Sequence, residues 1–153
     1  MSSVRFVIPK LRLTQLLKEP GGLAVADAVT KAGENLVTIR PTCRAELLAL
    51  LDQAEATAKS SPETNRELID LLYEYAVRSI GAGEICGVPA VDVALTSFCD
   101  LLDYMKTNGR FDREAIDVYL RAWRLLMSPE LPAAGRDAVL AGLRQVTDRY
   151  AAD

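Results

Sequence analysis

The sequence predicts an all-α protein: an antiparallel helical bundle with a four-helix core and an N-terminal helical arm. Three observations predict it. Apolar residues recur at steps of three and four through most of the 153 residues, the period of an amphipathic helix. Glycine and proline interrupt that pattern at intervals of one helix length. No run of β-branched residues alternates for long enough to make a strand. Half the residues are apolar and a quarter are charged, so a chain of this length can bury one core without disulfides or metals.

Residues 1–22 read as an arm. They hold Arg5, Lys10 and Arg12, a short LTQLL turn with Thr14 as its N-cap, and the stop Pro20-Gly21-Gly22. Residues 23–153 read as a single helical-bundle domain. Its first helix, from Leu23 to Ile39, carries Val25, Val29, Ala32, Leu36 and Ile39, and Gly33 weakens it slightly. Pro41 is expected to break or kink the chain, because its ring removes a backbone donor and clashes with the preceding turn. The next helix runs through Cys43, Leu47, Leu50, Leu51 and Ala54 to about Lys59, where Ser60-Ser61-Pro62 ends it.

Thr64-Asn65-Arg66-Glu67 then offers a cap with acid in the first turn, ahead of Leu68, Ile69, Leu71, Leu72, Tyr75, Ala76, Ser79 and Ile80 on a broad apolar face. This helix should fail between Gly81 and Gly87. Pro89 suits the first turn of another, with Val93, Ala94, Leu95, Phe98, Leu101, Leu102 and Met105 as its buried stripe and Asn108-Gly109 as its stop. Asp112 caps a helix bearing Ile116, Tyr119, Leu120, Trp123 and Leu126; Ser128-Pro129 ends it, and a last helix spans about Ala134 to Tyr150. Tyr119 and Trp123 are assigned to the core.

The chain contains no histidine, which removes histidine bases, Ser-His and Cys-His pairs, histidine metal ligands and histidine phosphotransfer. Carboxylates recur at helical spacing (Glu63, Glu67, Asp70, Glu74; Asp100, Asp103; Asp112, Glu114, Asp117). A bundle di-metal site would need Glu-x-x-His pairs as well, so these acids are solvated faces. Gly81-Ala82-Gly83 follows no strand and lacks the phosphate-loop pattern. With 18 basic against 21 acidic residues and its arginines interleaved with acids, the chain presents no nucleic-acid stripe. Cys43, Cys86 and Cys99 are an odd, widely spaced set, read as small buried residues; a reactive Cys86 would need a nearby cation or helix N-terminus. With no signal-peptide run and no 18-residue apolar stretch, the expected location is cytoplasmic, away from membranes. No catalytic residue, metal or cofactor is expected.

The string Ala76-Val77-Arg78-Ser79-Ile80-Gly81-Ala82-Gly83-Glu84-Ile85-Cys86-Gly87 resembles the helix and turn of histidine phosphotransfer domains. Ala76, Gly81 and Gly87 match, and Gly83 replaces a small alanine. Val77 stands where the phosphoaccepting histidine would be, Ile80 where a lysine would help hold the phosphoryl group, and Ser79 replaces a leucine. The resemblance covers residues from about 64 to 106. A second set, Leu16-Leu17, Pro20-Gly21-Gly22, the alanine-rich segment from Val25 to Leu36, Ile39-Arg40, Cys43, Phe98-Cys99-Asp100-Leu101-Leu102 and Gly109-Arg110-Phe111, is similar to the helical accessory proteins of alphaproteobacterial chemotaxis clusters named chemotaxis protein E.

These resemblances imply a non-catalytic signalling adaptor of a two-component or chemotaxis pathway. It would bind a response-regulator receiver domain or a related kinase component through a face of Tyr73, Glu74, Val77, Arg78, Ile80, Gly81 and Glu84. The alternative is a structural or homo-oligomeric protein, its apolar face consumed in a homodimer or by its own arm. A bundle with a small-molecule ligand and carboxylate chemistry is a third reading.

Overall fold

The computed structural model describes residue 22 and residues 24–61 and 66–151, and these residues are all helix and connection, with no strand. Among them six helices form: α1 (Val25–Ser60), α2 (Arg66–Ser79), α3 (Ala82–Cys86), α4 (Ala90–Asn108), α5 (Arg113–Leu126) and α6 (Ala133–Ala151). The expected arm falls almost wholly outside the described residues, as do the cap residues Thr64 and Asn65. None of the described helices is long and apolar enough to cross a membrane.

Pro41 does not break the chain. α1 runs through it as one 36-residue helix. The ring removes a single donor, the one that would bond to the Val37 carbonyl, and helical residues continue on both sides of it. The described residues nonetheless divide into two compact units at this point, residues 22–37 and 38–151. In the first unit the apolar stripe is exposed: Val25 is 80% accessible and Val29 66%.

In the second unit the rest of α1 buries Leu47, Leu51, Ala54 and Ala58. Cys43 of α1 lies against the Ala82 carbonyl, Arg44 donates to the Met127 carbonyl after α5, and Arg124 of α5 reaches Asp52 and Glu55 at 2.5 and 2.8 Å. α1 therefore runs antiparallel to α5. At one end of α2, Asp70 pairs with Lys106 late in α4 at 2.6 Å; at the other, Gly81 meets Asp92 early in α4. α4 and α5 join through a tight turn at Gly109, and Phe98 stacks on Tyr119 with centroids 5.1 Å apart. Successive long helices thus alternate in direction around one core, and α6 packs on α4 and α5, adding Leu143 and Tyr150.

The caps explain the boundaries. Asp112 accepts the Ala115 N–H at 3.1 Å, relieving an orphan donor of α5. Gly109 ends α4 at a φ of +63°, a left-handed conformation glycine adopts without a Cβ clash. Where an interruption was expected from Gly81 to Gly87, the one-turn helix α3 sits between two left-handed glycines, at φ +90° and +76°. Tyr119, Trp123, Phe98, Leu72 and Leu101 are buried. Val93 is a correction: expected in the buried stripe of α4, it stands exposed at the rim of a shallow groove between α4 and α6, because among the described residues no further helix covers that edge. Leu71 is also exposed, one residue out of step with buried Leu68 and Leu72.

Candidate protein-docking face

Burial of Leu68, Ile69, Leu72, Ala76 and Ser79 sets the rotation of α2. It leaves Tyr73, Val77 and Ile80, at steps of four and three, on the outer side. Their exposures are 43%, 48% and 41%, against full burial of Leu68, Leu72 and Ala76 on the same helix. Glu74 and Arg78 flank them one turn apart, 3.9 Å from each other and both exposed. Gly81 turns the chain, and Glu84 is exposed on α3. The seven residues expected to form the face therefore lie together at the C-terminal end of α2 and on α3. Beside Tyr73, a small cavity of about 80 Å³ opens between α2 and α4, lined by Ile69, Asp70, Leu102, Asp103 and Lys106.

One organising residue was not found by sequence reasoning. The Asp92 carboxylate, in the first turn of α4, accepts the backbone N–H groups of Gly81, Gly83 and Glu84 at 2.9, 3.0 and 2.8 Å. Three donors converging on one anion make a backbone nest filled by the chain's own carboxylate. A Cβ on Gly83 would lie 2.8 Å from the Asp92 carboxyl group. Gly83, which stands where the phosphotransfer pattern has an alanine, is therefore required within this chain to seat Asp92. The signal present in the sequence was an acid in the first turn of a helix shortly after Gly-x-Gly.

The thiols and the buried hydroxyls are dominated by desolvation. Burial, and then the neighbouring Cys43 thiol, push the Cys86 thiol up to about 11, the reverse of what a nucleophile needs. Burial raises Cys99 to about 11 as well. Cys86 and Cys99 are buried, as expected, and Cys43 is half-buried. Ser97, Tyr119 and Thr147 share hydrogen bonds in a buried cluster that ends on the Leu143 carbonyl, and desolvation raises the Tyr119 hydroxyl above its ordinary value. Among the described residues no three acidic or cysteine side chains converge as metal ligands.

No family model, no curated protein and no solved structure matches the chain.

Proposed function

We propose that the protein is a non-catalytic adaptor that binds the receiver domain of a response regulator through the outer face of α2. The observation that supports this most is the row of Tyr73, Val77 and Ile80, three large apolar side chains left in water on a helix with an otherwise packed interior. The receiver as partner rests on the resemblance of residues 76–87 to phosphotransfer domains. Val77 and Ile80 fill the positions of the charged, phosphate-handling pair, so binding occurs without phosphate acceptance.

In this reading the three apolar side chains are the anchors, Glu74, Arg78 and Glu84 orient the partner from the rim, and Gly81 permits close approach. Regulation is by occupancy. Covering the receiver's active-site face shifts its equilibrium by the difference in affinity for its two states. Calorimetric titration against receiver domains of the same genome, with and without a phosphoryl mimic, tests it. Binding to one or a few receivers, weakened about tenfold or more by Val77→Glu and by Ile80→Glu, is the expected result. Failure of every receiver to bind would overturn it.

A further inference from the structure

We infer that Cys43 and Cys86 are a redox pair that a hydroperoxide converts to a disulfide tying α1 to α3. The two thiols come from distant parts of the sequence and meet inside one compact unit. Cys43 lies on α1 just beyond Pro41, with its sulfur 4.0 Å from the Ala82 carbonyl. Ala82 is the first residue of α3 and Cys86 the last, one helical turn on, so the two share a side of that helix. The Cys43 and Cys86 thiols are in hydrogen-bond contact with each other. Sulfurs already in contact need only small side-chain rotations to reach a bond of about 2 Å.

Burial and charge divide the roles. Cys86 is buried and Cys43 only half-buried, so a small oxidant reaches Cys43 first. Arg40 Nε donates to the Ile85 carbonyl at 3.0 Å, which brings a guanidinium charge to the same turn. Partly exposed thiols beside cations are the reactive kind. Desolvation, with the Cys43 contact, keeps the Cys86 proton in place at neutral pH, and the Arg44 charge opposes it. Cys86 therefore serves as the second, resolving sulfur. Cys99, on α4, is buried, and the charge acting on it is that of Asp100.

The steps balance. Hydrogen peroxide gives one oxygen to the Cys43 sulfur: its O–O bond breaks, an S–O bond forms, and the other oxygen leaves with the thiol proton as water. The Cys86 sulfur then attacks the Cys43 sulfur. An S–S bond forms, the S–O bond breaks, and the hydroxyl departs with the Cys86 proton as a second water. Two electrons pass from the thiols to the peroxide, and a low-molecular-weight thiol returns them by exchange. The bond encloses all of α2 in a covalent loop and fixes α3, already held to α4 by Asp92, to α1 as well. The inference does not rest on the adaptor reading.

The reduced full chain at low micromolar concentration, treated with a small molar excess of hydrogen peroxide, alkylated and digested, tests the pair. The expected product is a single chain lighter by two hydrogens, with residues 43 and 86 linked, Cys99 alkylated, and both thiols restored by dithiothreitol. Cys86→Ser should stop the reaction at a Cys43 sulfenic acid, trapped as its dimedone adduct. Cys43→Ser should leave Cys86 a free thiol, and Cys99→Ser should form the bridge as the wild type does. Absence of the linked peptide from the wild type, a bridge that includes Cys99 or joins two chains, or dimedone capture at Cys86 in Cys43→Ser would each overturn the inference.

Discussion

Along α1 the same spacing of apolar residues occurs in two settings. From Leu47 to Ala58 it is covered by the bundle, and Leu51 has no accessible surface; from Val25 to Ile39 it stands in water. The residue types are alike and the helix is continuous. A three-and-four repeat thus reports an apolar face and says nothing of what covers it. Cover is a tertiary fact: Asp52 and Glu55 are tied to Arg124, and Arg44 to the Met127 carbonyl.

Truncation within the covered part of α1 has the largest expected effect. Leu51→Ala should cost about 3 kcal/mol of unfolding free energy, from lost transfer energy and a cavity, read by denaturant melting at low protein concentration. An effect below about 1 kcal/mol would show that the covered region is not packed as described. Asp92→Ala should follow at about 2 kcal/mol, since three backbone donors lose a charged acceptor; amide exchange should quicken at Gly81, Gly83 and Glu84 but not at Leu51.

Smaller effects come from the pair formed by Asp112 and Tyr150. The Tyr150 hydroxyl donates to the carboxylate. Aided by the Ala115 and Glu114 amides and opposed by partial burial, it holds Asp112 below its ordinary value. A lowered carboxyl stabilises the fold above the ordinary carboxylate range, and that contribution disappears as pH falls through the folded value. Burial and the Asp112 contact raise the Tyr150 hydroxyl to about 12 from 10.0, so its contribution is complete below pH 10 and fades towards 12. Tyr150→Phe should cost about 1 kcal/mol at neutral pH and flatten both limbs of the stability profile; unchanged limbs would deny the contact any role. Smallest of all, Leu36→Ala should shift dilute-solution stability by no more than about 0.5 kcal/mol, and a loss like that of Leu51→Ala would mean that an intramolecular surface covers the first part of α1.

Much of the fold was legible because punctuation is local. Asn108-Gly109, Asp112 and Pro89 act within a turn of their own positions, and each ends or starts a helix where expected. The break expected as one outcome at Pro41 did not occur, because one lost donor and a local clash do not stop a helix of 36 residues. α3 was missed because five residues between two glycines carry no periodicity. Of the docking face, the sequence left the exposure of Val77 and Ile80 open, and Ile80 read equally well as part of the apolar face of α2; only the packing of Leu68, Leu72 and Ala76 decides it. Asp92 was not legible either, because its three donors lie eight to eleven residues upstream and nothing in either segment names the other.

The Asp92 nest also bears on the order in which the protein folds. It closes a loop of eleven residues between the end of α2 and the start of α4, and loops of this size close within about 10–100 ns. The two helices it joins are neighbours in sequence and in space, so their docking carries little loop-closure entropy compared with bringing α1 against α5. The α2–α4 hairpin, and with it the outward row of Tyr73, Val77 and Ile80, is thus the segment suited to nucleate folding. Substitutions at Asp92 should slow refolding, while those at Leu51 should chiefly speed unfolding.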